Sequence, residues 1–564
     1  MIPFHHLHPS TNLTNTTSYS SSIVTIANSS RKSQAQISEK FFAKYPPIYR
    51  KHFGKYKSVL VLSVDGLRQS DLTDPKLQAY LPNITNLQKE GITYTNAFTT
   101  IPSDSFPGTL AYFTGAGPKT TGVYYDSTYD RTLQARGSNS LGTEVNFDES
   151  IDKDSTLLSG GGNFSTDSIN PSKLPIDMDG NPVYPHNYLK VNTVFEVAKE
   201  AGLRTAYAEK HPAYDLLNGP SGKGVDDLYT PEINASVAII DGQLVDKSKA
   251  PAQTTLKTVT KDIKTTELYD DLKVNAVINE INGLTSSGNG LTSSGEPSDL
   301  AVKGPPAIFG TNFQAVSVSE KLPGNGIATN GTASAGFIEA LQHTDASIGK
   351  IVDALKQNNL FDSTLLVLTA KHGQNPRLQP ATLLKEDTFT APLIAAGITV
   401  VHNIPDDASI IWLQDPKQAP KAKEILTKLN NPYVEKILIG YDLVKFGFGN
   451  PLVDSRAPTL VVKLKPGVVL VSNPNNPSKI AEHGGYCEDD IHVPLILASG
   501  GLNASVKGTV QTQIVSNKSI AVTILQALGL NPKKLQGVII EHTPELPGTG
   551  IENYLPEFQP SDRF

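Results

Sequence analysis

Four short segments carry side chains suited to metal-assisted displacement at an ester. Asp65 closes the apolar run SVLVLSV (58–64) and is followed by Gly66. Ser105 stands in TIPSDSFPGTL (100–110), directly before Phe106, Pro107 and Gly108. Lys371, His372, Gly373 and Gln374 follow TLLVLTA (364–370), and Glu482, His483, Gly484, Gly485 and Tyr486 precede VPLILAS (493–499). A carboxylate oxygen, an imidazole nitrogen and a hydroxyl oxygen are ligands or near-ligands that zinc accepts. A serine hydroxyl beside such an ion loses its proton more easily and becomes a nucleophile. Backbone N–H groups at a helix start after Ser105 would face an anionic ester group.

Each residue also has an ordinary reading. A strand-end Asp can cap the next helix, and a Ser beside Pro and Gly can belong to a turn. His372 and His483 can be satisfied by backbone groups or water. Their common position, at strand ends and helix starts, favours the chemical reading, because the C-terminal ends of parallel strands gather on one edge.

The elements that would position them follow from hydrophobic pattern. SVLVLSV is uninterrupted, as a central strand buried on both faces requires. GITYTNAF (91–98) reads as the next strand after a helix over 82–90. Further strands are expected at 203–209, 306–313, 364–370, 408–413, 459–464 and 493–499. Helices are expected at 191–202, 334–359 and 520–529, the second with Phe337, Leu341, Ile348, Ile351, Val352 and Leu355 on one stripe. This alternation predicts an α/β fold with a mostly parallel sheet sandwiched by helices. Residues 51–385 and 481–564 read as the core, and 386–480 as a smaller inserted cap. Residues 1–50 read as a disordered leader rich in Ser, Thr and Asn, and NGLTSSG occurs twice within 282–295 as a polar linker.

Composition narrows the classes. A net charge of −6 argues against binding a nucleic-acid duplex. The single cysteine, Cys487, excludes an intramolecular disulfide and a Cys-rich zinc site. No stretch has the length and apolarity of a membrane span. Asn-x-Ser/Thr sequons, among them Asn83, Asn163, Asn234, Asn330, Asn503 and Asn517, hint at a secreted or extracellular glycoprotein, although the N-terminus lacks a signal-peptide pattern.

Asp-Gly after an apolar strand, Pro-x-x-Ser-Phe-Pro, Lys-His-Gly and a late His-Gly-Gly-Tyr together resemble type I phosphodiesterases and nucleotide pyrophosphatases of the alkaline phosphatase superfamily. The resemblance runs from about Lys57 to about Leu528. It implies an alkaline-phosphatase-like fold and Ser105 as nucleophile. It also implies Asp65, His372 and His483 as metal ligands. Three positions depart from the family pattern. Lys371 stands where the family has Asp, and QAVSV (314–318) puts Gln314 and Val318 where it has Asp and His. These changes weaken both metal sites, one severely. Sulfatases are similar in placing lysines where a second metal would be.

The resulting expectation is a hydrolase of phosphate diesters or nucleotide pyrophosphates. Ser105 and Lys371 would be catalytic, and Asp65, Ser105, His372 and His483 would hold one or two divalent ions, zinc foremost. Phe106, Gly108 and Gln314 would face a small phosphate-ester substrate. Glu209, Lys210 and His211 form a competing polar cluster, with Asp226, Asp227, His343 and Asp345 as further candidates. Hydrolysis of a phosphonate or sulfate ester is an alternative, weakened by the absence of the Arg of the sulfatase motif in SFPGT. A non-catalytic binding protein on the same scaffold is another.

Overall fold

The run Ser58–Val64 forms β1, and its side chains show why no polar residue interrupts it. Val59 and Val61 enter the apolar cluster on one face of the sheet, while Leu60, Leu62 and Val64 enter the cluster on the other. Each such burial contributes about 1.5–3 kcal/mol, so a charge at any of these positions would be expelled. The computed structural model describes residues 54–288 and 304–551. The leader expected over 1–50, and part of the NGLTSSG repeat, lie outside the described residues.

The central sheet contains β1, β2 (Gly91–Phe98), β3 (Ala206–Ala208), β4 (Asp227–Tyr229), β5 (Ile308–Phe313), β6 (Thr364–Thr369), β7 (His492–Ala498), β8 (Thr509–Gln511) and β9 (Val515–Ser516). Their spatial order is β8-β2-β7-β6-β1-β5-β3-β4, with β9 also pairing β2. β1 lies parallel between β5 and β6, and β3 and β4 continue in the same sense. β7 is antiparallel to both its neighbours, β6 and β2. The sheet is therefore mostly parallel, with one reversed strand.

Helices cover both faces. Ser105–Thr114, Val194–Glu200 and Ser519–Ala527 contribute to one cluster. Ala335–Gln357 and Ile263–Ile281 contribute to the other. The stripe from Phe337 to Leu355 is buried as its spacing predicts.

Residues 400–464 carry a separate antiparallel sheet in the order Val400–Pro405, Ala408–Leu413, Leu460–Leu464, Val434–Ile439. Its strands alternate. Ile411 and Leu413 pack with Ala422 and Leu426 of the helix Ala419–Lys428, whereas Ile410 and Trp412 pack on Tyr124 and Tyr125.

Candidate active site

Four adjacent parallel strands deliver their following residues to one rim. Asp65 follows β1, Lys371 and His372 follow β6, Gln314 follows β5, and Glu209 and Lys210 follow β3. The reversal of β7 matters here, because it is the start of this strand that reaches the same rim. The loop leading into it carries His483. Gly484 N–H donates to the Ser103 hydroxyl, and that hydroxyl donates to the Gly485 carbonyl, which ties the His483 loop to the Ser105 loop. Beyond β2, Ser105 opens the helix Ser105–Thr114.

The Ser105 hydroxyl oxygen lies 3.1 Å from His372 Nε2 and 3.0 Å from Lys210 Nζ. His372 Nδ1 lies 2.8 Å from the Gly373 carbonyl, which only accepts. Nδ1 therefore carries the proton, and Nε2 presents its lone pair to Ser105. Burial lowers His372 to about 4, against the pull of Asp65, so the ring is neutral near pH 7. The His483 ring lies against it, tilted by 32°, with ring centroids 3.8 Å apart. Burial, with the neighbouring His372 and Lys321, holds His483 well below the ordinary imidazole range.

Asp65 is fully buried, and three cationic or amide groups converge on its Oδ2. Gln314 Nε2 donates at 2.7 Å, Lys210 Nζ lies at 3.3 Å and Lys371 Nζ at 3.8 Å. Burial alone would raise this carboxyl, but Lys371, Lys210 and His372 outweigh it and keep Asp65 well below the usual carboxylate range. Lys371 is held by Glu209 at 2.7 Å and by the Tyr214 hydroxyl at 2.8 Å, with its ammonium over the Tyr214 ring. Its closest partners are thus Glu209 and Tyr214, and the ammonium beside Ser105 is that of Lys210.

The start of the Ser105 helix is already capped. Asp104 Oδ2 accepts the Phe106 N–H at 3.0 Å, and the Asp104 carbonyl accepts the Gly108 N–H at 2.9 Å. The anion expected at this helix end is thus the chain's own carboxyl, which burial pushes up to about 6. Phe106 turns its ring into the core, stacked on Tyr214 at 4.4 Å. Gly108 lies so close to the end of β6 that an added Cβ would sit 2.3 Å from the Lys371 carbonyl oxygen. Both positions serve packing that holds Ser105 against Lys371 and His372. Gln314 does border open space. A cleft of about 240 Å³, which reaches Lys210 and His483 but not Ser105 itself, is lined by those two with Lys261, Gln314, Val318, Lys321 and Lys479, and Glu482 is paired to two of these lysines. A larger groove of about 610 Å³, between residues 324–334 and 379–383, has no charged side chain in its lining. Of the two, the smaller cleft is the one that adjoins the Ser105 site, through Lys210 and His483.

Lys210 was not separable by spacing from its neighbours Glu209 and His211. Its signal is the one that marks Asp65, a position just past a parallel strand. His343 and Asp345 stand elsewhere. His343 pairs with Asp271, and Asp345 accepts the N–H groups of Asn83 and Ile84 at a helix start.

A mostly parallel sheet covered on both faces, with a serine at a helix start and strand-end polar groups on one rim, is an alkaline-phosphatase-like fold. A family model described as type I phosphodiesterase / nucleotide pyrophosphatase matches residues 59–486, and the chain belongs to that family as a phosphodiesterase/nucleotide pyrophosphatase-like hydrolase. Similar solved structures are those of murine and human ectonucleotide pyrophosphatase/phosphodiesterase 5. The murine protein shares 12% identity at a TM-score of 0.53 over 84% of this chain and 96% of its own. The human protein shares 14% at 0.52, over 84% and 95%. An inactive variant of the murine protein, in complex with AMP, shares 13% at 0.53. No curated protein sequence matches. The family acts on small phosphate esters and generally depends on divalent metal. Among the described residues no helix is long and apolar enough to cross a membrane.

The residues around Ser105 do not fit a pair of divalent ions. A cation bridging the Ser105 hydroxyl and Asp65 Oδ2 would need the space of the Lys210 ammonium, which touches both oxygens. Lys371 brings a second positive charge in place of an anionic ligand. Val318 offers no ligand atom, and the Gln314 amide nitrogen is turned to Asp65. Asp65 Oδ1, Asp104 Oδ1 and His483 Nδ1 lack hydrogen-bond partners, but the last two face each other at 3.7 Å, and the two ammoniums at Asp65 oppose a divalent ion there.

Proposed function

We propose that this chain hydrolyses small phosphate diesters or nucleotide pyrophosphates through Ser105, with ammonium groups doing the electrostatic work that metal ions do elsewhere in the family. The observation that carries this reading is the contact of one hydroxyl with both an imidazole lone pair and an ammonium. His372 Nε2 takes the Ser105 proton as Oγ bonds to phosphorus. The phosphorus–oxygen bond to the leaving group breaks, and the leaving alcohol or phosphate departs with its electron pair. The proton on His372 passes to the departing oxygen, which leaves the ring neutral; water then attacks the seryl ester, giving a proton to His372 Nε2, which returns it to Ser105 Oγ as the phosphorus–Oγ bond breaks. Lys210 stabilises the developing charge on Oγ and on the phosphoryl oxygens. Lys371, which burial lowers against the pull of Asp65 and Glu209, stands behind Asp65. The lysine-lined cleft would receive the rest of an anionic substrate.

The test is turnover of an aryl phosphodiester, compared with the monoester, phosphonate and sulfate, by wild type and Ser105→Ala. Diester turnover that vanishes in Ser105→Ala supports the proposal. Equal rates in the two proteins would remove Ser105 as nucleophile. A second reading, a phosphoanion-binding protein without turnover, is favoured by the substituted positions Gln314, Val318 and Lys371. Saturable nucleotide binding with no hydrolysis would select it.

We further propose a secretory route. Exposed Asn163, Asn330 and Asn503 are open to glycosylation, whereas Asn517 is fully buried and donates to Thr99. Glycopeptide mapping after secretory expression should find glycans at the first three sites and none at Asn517. A glycan at Asn517, or none at all, would contradict the assignment.

A further inference from the structure

The segment that brings Lys210 to Ser105 carries a second constellation at the next residue. Glu149, His211 and Glu232 each place a ligand atom within 4.8 Å of the others. His211 Nδ1 lies 2.8 Å and 3.1 Å from the two Glu232 oxygens. Glu149 is half-buried at the 3-10 turn Glu149–Ile151, and His211 and Glu232 are buried. Asp152 ends the same turn and is fully buried. Its carboxyl lies within hydrogen-bonding reach of Glu232, yet neither of its oxygens meets a donor. The Lys173 ammonium is directed to the Asp152 main-chain carbonyl.

Two carboxylates therefore face one imidazole, and a third, Asp152, lies against Glu232. Two buried acceptor-only groups in contact require either a shared proton or a cation between them. With no cation, one proton shared between Asp152 and Glu232 is the alternative. That proton would satisfy Asp152 and Glu232, and His211 pairs with Glu232 in either case, but the approach of Glu149 to the same carboxylate would stay uncompensated. One imidazole nitrogen with carboxylate oxygens, drawn from three separate chain segments, is a ligand set suited to a borderline divalent ion. The outer groups are in place as well. Asn234 N–H donates to Glu232 at 2.8 Å, and Ile233 N–H donates to the Lys210 carbonyl at 3.1 Å.

We propose that Glu149, Asp152, His211 and Glu232 bind one divalent transition-metal ion, with zinc the best match to the ligands, and that this ion fastens the segment presenting Lys210. The binding site stands independently of the reading of Ser105; only its consequence for Lys210 rests on that reading.

The experiment uses the full chain without a histidine tag. Elemental analysis after dialysis should find about one equivalent of zinc per chain, retained in Asp65→Asn and lost in Glu232→Gln. Because Glu232 is buried, Glu149→Gln serves as the milder variant, with zinc affinity lowered by about 10- to 100-fold or more. Chelator-stripped wild type should gain thermal stability on titration with zinc chloride, and Glu149→Gln should gain less. Metal-free wild type that does not respond to zinc would overturn the proposal, leaving an ion-paired His211. So would zinc that is lost in Asp65→Asn and kept in Glu149→Gln. A protein inactive on phosphodiesters whose zinc still tracks Glu149 would overturn the Ser105 reading alone.

Discussion

Two charged clusters meet at the Lys210–His211 dipeptide, and they balance charge in different ways. On the Lys210 side, the carboxylates of Asp65 and Glu209 face the ammoniums of Lys210 and Lys371. On the His211 side, Glu149 and Glu232 face a single imidazole, with Asp152 against Glu232. The first cluster has no vacancy for a divalent ion although its family generally uses one. The second has an excess of negative charge at a place the family motifs do not mark. Charge count, more than motif position, decides where a cation can reside, because an uncompensated buried carboxylate costs several kcal/mol.

The contrast can be broken from either side. The largest effect is expected for Ser105→Ala, which should lower diester turnover by about 10⁴-fold or more, measured as initial rate with folding checked by circular dichroism. A variant with wild-type rates would show that the Ser105 cluster is not the reactive one.

Next comes His372. Its lone pair is the base, so turnover requires the unprotonated ring. With a pKa lowered to about 4, kcat/KM should stay level down to that pH and fall tenfold per unit below it. An acid limb near 6.5, the ordinary imidazole value, would place the base elsewhere. His372→Ala should reduce the rate by about 10²–10⁴-fold.

A smaller effect is expected from Gly108→Ala. The new methyl would press on the Lys371 carbonyl oxygen. It should cost about 1–3 kcal/mol of stability and shift His372 from Ser105, seen as a lower Tm together with a lower kcat. An unchanged Tm would show that this contact is soft.

Much of the fold was legible because the strands are buried on both faces. The runs 58–64 and 91–98 correspond residue for residue to β1 and β2. The helix Ile263–Ile281 was not legible. Its buried face includes Glu267, Asp270, Lys273 and Glu280, with Lys273 paired to Asp270 and Asp270 accepting the N–H groups of Gln314 and Ala315. A helix that buries charges shows no clear apolar stripe. The meeting of Asp65, Ser105, His372 and His483 on one rim could be argued from strand ends, but the reversal of β7 that brings His483 there leaves no trace in hydrophobic pattern. The capping of the Ser105 helix by Asp104 depends on a side-chain direction, and the convergence of residues 149, 152, 211 and 232 depends on loop paths. Neither is encoded as a spacing.

The most direct test of the central claim is the diesterase rate of Lys210→Met, measured with and without added zinc, beside Lys210→Arg. If the ammonium activates Ser105, Lys210→Met should lose about 10²–10³-fold in kcat, zinc should not restore it, and Lys210→Arg should recover part of the rate. A Lys210→Met protein that keeps its activity, or regains it with zinc, would contradict the account.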